Sequence, residues 1–278
     1  MKTEEKTAIL YPHGANGENE VREMDYDALL ELSCEIGFRL MQSGAEIYRV
    51  EESIRRILEA YEPQSAEVFA IPNCIITTLV TPEGKTLTRM RRMPSHGTDV
   101  DRLEQYNALC RAICADKPDL PELKKRLKAT EGEKRTYSGW QIMLAYFTAT
   151  AFFSLFFGGT WRDALCAGIC GIAIWAAVDF MAKRGTNLFF RTAASAAVSA
   201  VIALGLTALG FGQNIDRITI GALMMLVPGV AITNAMREIM GGDMVAGLSR
   251  VAEGVLIATA IALGTGVAMS LSRFLWGG

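Results

Sequence analysis

Histidine is almost missing from this chain: His13 and His96 are the only two in 278 residues. So few imidazoles argue against a zinc site, which draws on His and Cys at close spacing. Cysteine is sparse too. Cys34 and Cys74 stand alone, while Cys110/Cys114 and Cys166/Cys170 fall four apart on predicted helices, where they read as small packing residues rather than disulfides. The motifs of common hydrolases and nucleotide-binding enzymes are absent: there is no G-x-S-x-G, no P-loop and no H-E-x-x-H. No cofactor, no metal ion and no catalytic residue is therefore expected. The basic run "RMRRM" at 89–93 sits at a strand end and is offset by acidic helices, which argues against nucleic acid as a partner. No secretory signal is visible; residues 1–25 are acidic, rich in Gly and Asn, and read as a disordered lead-in.

Charge is the next scarcity, and it is confined to one half. Residues 1–139 hold 20 Lys/Arg and 24 Asp/Glu, whereas residues 140–278 hold only 8 and 6. The first composition belongs to a solvated domain, the second to a chain whose solvent is lipid. A helix needs about 20 apolar residues to cross the hydrocarbon core. Five segments qualify, at 140–158, 164–182, 189–211, 218–236 and 252–271. Trp140, Tyr146, Trp161 and Trp276 lie at or near their ends, as aromatics at a headgroup layer do. Lys and Arg gather before the first span, between the second and third (Lys183, Arg184, Arg191), and between the fourth and fifth (Arg237, Arg250). The opposite side carries only Arg162, Arg217 and Arg273. The positive-inside rule places the soluble half in the cytoplasm of a bacterial-type cytoplasmic membrane, with the C-terminus outside. Runs such as "AGICG" and "AASAAVSA" give the spans small faces for close packing within the bundle, and leave room for a partner bundle or a second copy of the chain.

The soluble half reads as a small α+β domain over 26–130, joined by a charged linker at 131–139 to a membrane domain at 140–278. Leu29, Leu32, Ile36 and Leu40 repeat at helical spacing, as do Ile47, Val50, Ile54 and Ile57, in one long helix or two broken near Ser43-Gly44. Alternating β-branched runs flank "TPEGK" and predict a hairpin. Helices follow at 99–114 and 120–128. "SGAEIYRVEES" puts Glu46, Arg49 and Glu52/Ser53 on one helical face. Such a row is first a solvated, ion-paired surface, with a regulatory contact or a weak ligand site as the alternative.

The fourth span contradicts a simple anchor. Pro228 falls near its middle, where it removes a backbone hydrogen bond that lipid cannot replace. Such a break has to face protein, water or solute, and Gly229 leaves backbone accessible beside it. The half-helix that follows begins with free N–H groups suited to a carboxylate. Thr233, Asn234 and Arg237 line up downstream by three- and four-residue steps. Arg250 and Glu253 are three apart at the start of the fifth span, and Asp179 ends the second. Ionisable groups at such depth cost about 2.5–3.5 kcal/mol each on insertion scales, so Glu253 and Asp179 are candidate proton carriers. Interfacial ion pairs are the plainer alternative.

These residues also carry a resemblance. "SGAEIYRVEESIRRI", "IPNCIITTLV", "FFGGTWRDAL", "RGTNLFF" and above all "LVPGVAITNAMREIMGGDMVAGLSRVAEGVLIATAIALGTGVA" resemble the threonine/serine exporter family over about residues 26–271. The resemblance implies an α-helical membrane protein with five transmembrane helices preceded by a small α+β cytosolic domain. It also implies proton-coupled secondary export of small carboxylate metabolites: threonine/serine-type amino acids, or dicarboxylates such as succinate. A chain with five spans is similar to the large subunit of the split members, so a separate small membrane subunit is the expected partner. Matching positions are Ser43, Gly44, Glu46, Arg49 and Glu51 in the soluble half. In the bundle they are Gly158, Gly159, Asp163, Asn187, Pro228, Gly229, Asn234, Arg237, Gly242, Asp243, Gly247, Arg250 and Glu253. A membrane-anchored hydrolase and a ligand-sensing scaffold are the competing classes. The first lacks a nucleophile with its base, and five polar-marked helices are extravagant for an anchor.

Overall fold

The computed structural model describes residues 24–93, 97–132 and 137–276. The lead-in as far as residue 23, His96 and the linker stretch 133–136 lie outside the described residues, as do the side chains of Arg273 and Trp276. The chain divides into two compact units. One comprises Met1–Arg135 with Met240–Ala246, the other Thr136–Ile239 with Gly247–Gly278.

In the first unit, α1 (Tyr26–Gln42) and α2 (Ile47–Ala60) are separate helices. Asp25 caps α1 by accepting from the N–H groups of Asp27 and Ala28. Gly44 ends it at φ +96°, with Ala45 N–H donating to Leu40 O and Gly44 N–H to Met41 O, the paired bonds of a Schellman turn. A Cβ at Gly44 would stand 2.7 Å from Gly97 O, so glycine is required there on two counts. The predicted hairpin is part of a larger sheet: β1 (Ser65–Ile71), β2 (Cys74–Val80) and β3 (Thr86–Arg92) form an antiparallel meander. Phe69 pairs with Ile76 and Ile76 with Met90. Ala66, Val68 and Ala70 of β1 and Ile75 and Leu79 of β2 alternate inward. They join Leu29, Ile36, Ile47, Ile54, Ile57 and Leu58 in one core, closed by α3 (Val100–Asp116) and α4 (Leu120–Gly132).

In the second unit, α5 (Gly139–Phe156), α6 (Trp161–Lys183), α7 (Leu188–Ala208) and α10 (Met244–Trp276) are long. Among the described residues these four helices are long and apolar enough to cross a membrane, so the chain is a multi-pass membrane protein. The span expected at 218–236, with its break at Pro228, is two short helices, α8 (Ile215–Leu223) and α9 (Gly229–Met240). Pro228 is the physical reason: its ring clashes with the carbonyl four residues back, at Met224, where α8 ends. The fifth expected span, 252–271, begins two turns earlier, because the chain reverses at Gly242 (φ +99°) and enters α10 at Met244.

Small residues set the helix spacing. A Cβ on Gly221 of α8 would lie 2.6 Å from Ser154 N of α5, and one on Gly171 of α6 would lie 2.7 Å from Tyr146 O. The helices approach closely at both positions, as expected where lipid offers no hydrophobic drive. Cys166 and Cys170 of α6 are buried with Ala167, Ile174, Ala203, Ile218 and Ala222.

Candidate functional site

The α9–α10 pair holds most of the polar residues singled out in the bundle. Its helices run antiparallel and close together. A Cβ on Gly247 would stand 2.9 Å from Ala235 O, and one on Gly254 would stand 3.1 Å from Ile232 and 3.9 Å from Pro228. Between these two contacts, Arg250 Nε meets Glu238 Oε2 at 3.1 Å. Glu238 is fully buried and Arg250 is 7 % exposed. A buried carboxylate is tolerated only with such a partner, and its neutralisation is sensitive to anything that competes for the guanidinium. Glu238 was absent from the sequence-derived site because its partner is twelve positions away, across a turn. Spacing alone brings Arg250 near Glu253, three positions along α10.

The break lies at the other end of α9. Pro228 precedes α9, and Gly229 opens it, with nothing within 4 Å of where a side chain would begin. Thr233 donates its hydroxyl hydrogen to Gly229 O at 3.0 Å. Asn234 is half-buried, while Arg237 and Glu253 are exposed on the helix surfaces. Thus Pro228, Gly229 and Thr233 sit together at the start of α9, and Glu238–Arg250 sit near its far end.

The other membrane candidates are placed elsewhere. Asp179 pairs with Lys183 at 2.6 Å, both side chains substantially exposed, as an i, i+4 pair ending α6. Asn187 caps α7, accepting from Phe189 N–H at 2.9 Å. Asp163 ties two turns together. Its Oδ2 accepts from Thr160 N–H, and its Oδ1 accepts from Gln213 N–H at 2.7 Å and Asn214 N–H at 3.0 Å. Arg217 reaches back to Phe157 O beside Gly158, whose φ is +81°. The "FGGTWRD" stretch is therefore accounted for as a joint between the α5–α6 and α7–α8 connections.

In the first unit the motif residues have distinct tasks. Ser43 donates to Arg39 O at 2.8 Å at the end of α1. Glu46, buried at the start of α2, pairs with Arg49 Nε at 2.9 Å. Glu52 turns away to Arg56 at 2.6 Å. Glu51 accepts the Ala70 N–H at 2.7 Å, linking α2 to β1. Burial pushes the Glu51 carboxyl above its ordinary pKa, the Ala70 bond opposes this, and the negative charge of Asp243 adds a smaller upward push. Asp243 belongs to Met240–Ala246, the stretch that is part of this unit and contributes Ala246 to its core.

With this geometry in hand, comparison with known proteins is informative. The chain is 21 % identical over 240 residues to the "Probable threonine/serine exporter" of Mycobacterium tuberculosis, covering 85 % of this chain but only 45 % of that protein. It is 24 % identical over 251 residues to the "Probable succinate transporter subunit YjjP" of Escherichia coli, covering 90 % of this chain and 95 % of the relative. It is 23 % identical to the "Pheromone-regulated membrane protein 10" of Saccharomyces cerevisiae, of which it spans 31 %. No solved structure matches. The family model for threonine/serine exporters (ThrE) matches residues 31–272, nearly the whole described chain, and the protein belongs to that family.

Proposed function

We infer that this protein is one subunit of a proton-coupled secondary exporter that moves small carboxylate metabolites out of the cytoplasm. The buried Glu238–Arg250 pair, held between α10 and the helix that begins at the Pro228 break, carries the reading. A structural anchor gains nothing from an ion pair whose desolvation costs several kcal/mol per ion. A carrier gains a two-state element. When Glu238 takes a proton, Arg250 is released and its guanidinium can pair with a solute carboxylate. When the proton leaves, the internal pair re-forms and the solute is expelled. Glu253, three residues further along α10, is the second proton carrier in this scheme, and the start of α9 at Gly229 receives the solute through backbone N–H groups.

In this reading α8 and α9 together make a fifth, broken span, with the first unit cytoplasmic and the C-terminus external, and the Lys/Arg distribution supports that orientation. A second, small membrane subunit completes the path. The near-complete overlap with a relative named as a transporter subunit supports this, as does a shallow apolar groove on α10 that includes Ala262, Gly266 and Ser270 at four-residue steps. The substrate class is threonine- or serine-type amino acids, with succinate-type dicarboxylates as the variant suggested by that relative's name. The test is accumulation of labelled threonine, serine and succinate in inside-out membrane vesicles, with this chain alone and with a small-subunit partner. Accumulation that needs both chains is expected. Equal accumulation of all three solutes in vesicles lacking the chain would contradict it.

A further inference from the structure

The first unit contains a cleft of about 380 Å³ that the solute path does not use. It opens where the end of α1, the start of α3 and the end of α4 meet. Arg39, Ser43, Asp99, Arg102, Tyr106 and Glu131 line it. The volume is at the lower end of small-ligand sites, roughly 300–1,000 Å³, and fits a small polar molecule. The Schellman turn at Gly44 holds one wall: Asp99 N–H donates to Ser43 O at 3.0 Å and Gly97 N–H to Gln42 O at 3.1 Å.

The lining carries two guanidinium groups and two carboxylates, and Arg39 is held in addition by Glu35 of α1 at 2.8 Å. Arg39 Nη2 meets Glu131 Oε1 at 2.8 Å. Arg102 donates to Tyr106 Oη at 3.1 Å and to the Glu131 carbonyl at 3.3 Å. Asp99 Oδ1 accepts the Arg102 N–H at 3.1 Å as the cap of α3. Asp99 Oδ1 and Glu131 Oε1 are thus engaged within the fold, and Arg102 spends two of its five N–H donors. Side chains tied down in this way pay little further entropy on binding.

Two guanidinium groups facing two carboxylates select against a ligand of one sign. A dicarboxylate would set its second charge against Asp99 and Glu131, and a diamine would face Arg39 and Arg102. A molecule carrying one carboxylate and one ammonium satisfies both pairs. We propose that this cleft is a binding site for a free α-amino acid zwitterion. Its carboxylate lies on Arg102, its ammonium lies between Asp99 and Glu131, and the hydroxyls of Ser43 and Tyr106 meet the remaining polar atoms. The site is built wholly from residues of the first unit, so it stands whether or not the same solute crosses the membrane unit.

Hydrogen–deuterium exchange of the full chain in lipid nanodiscs tests this, with L-threonine and succinate as probes. Threonine is expected to slow exchange at 39–43 and 99–106, and succinate at the same concentration is not. Asp99→Asn keeps the helix cap but removes the charge, and Glu131→Gln removes the charge while leaving an acceptor oxygen for Arg39. Each is expected to weaken the threonine effect at least tenfold while the unliganded exchange pattern is retained. Absence of protection by threonine, equal protection by succinate, or an undiminished effect in whichever variant keeps the native pattern would overturn the assignment.

Discussion

The carboxylate of Glu238, fully buried on α9, lies 3.1 Å from Arg250 Nε on α10. Removing one member of such a pair leaves an uncompensated charge, which costs about 3–5 kcal/mol, whereas replacing both by neutral groups is often tolerated. Arg250→Met is therefore expected to lower the melting temperature of the purified protein sharply. Adding Glu238→Gln should recover most of that loss without recovering transport. A double variant as unstable as the single one would mean that the pair is held by something other than mutual neutralisation.

Pro228→Ala gives residue 228 an N–H and removes the clash at Met224, so α8 and α9 can fuse. Transport is expected to fall at least tenfold with no loss of folded protein. Unchanged uptake in a well-folded variant would show that the break does not contribute to the path.

Asp163 serves the joint between connections rather than the solute. Asp163→Ala strands the donors of Gln213, Asn214 and Thr160, at about 1–3 kcal/mol for unmet buried groups. Asp163→Asn, which retains one acceptor oxygen, should cost less. In both variants uptake should track the amount of folded protein, and the ratio of threonine to succinate transported should stay constant. A changed ratio would place Asp163 in contact with solute.

Glu51 predicts a pH dependence. Burial raises its folded pKa above the ordinary 4.5, so the folded state holds the proton more tightly than the unfolded state. Stability from this group is full below pH 4.5 and is lost as pH rises through the raised folded value. Glu51→Gln can still accept from Ala70 N–H and removes the charge near Asp243, so it should flatten that decline. Chemical denaturation of the wild type and the variant across this range checks it; identical pH profiles would contradict it.

Much of the fold was legible before any coordinates. Helical repeats such as Leu29–Ile36–Leu40 and Ile47–Ile54–Ile57 predicted α1 and α2, and β-branched alternation predicted the sheet around "TPEGK". The missing strand was β1: its turn, "PN", lacks the glycine that marked the second one. The Pro228 break was readable from one residue, but its extent was not. Proline disturbs the turn before it, so α8 stops at Leu223 and no long helix remains. Least legible were partners set by tertiary packing. Spacing pairs Arg250 with Glu253 on one helix, whereas the close α9–α10 approach, permitted by Gly247 and Gly254, delivers Glu238 from the other.

The most direct test of the exporter reading is solute accumulation under an imposed pH gradient in inside-out vesicles containing the small subunit with either wild-type protein or Glu238→Gln. Gradient-dependent accumulation in the wild type, reduced in the variant to a level the gradient no longer changes, is the expected result. Accumulation in Glu238→Gln that responds to the gradient as the wild type does would contradict the role given to the buried pair.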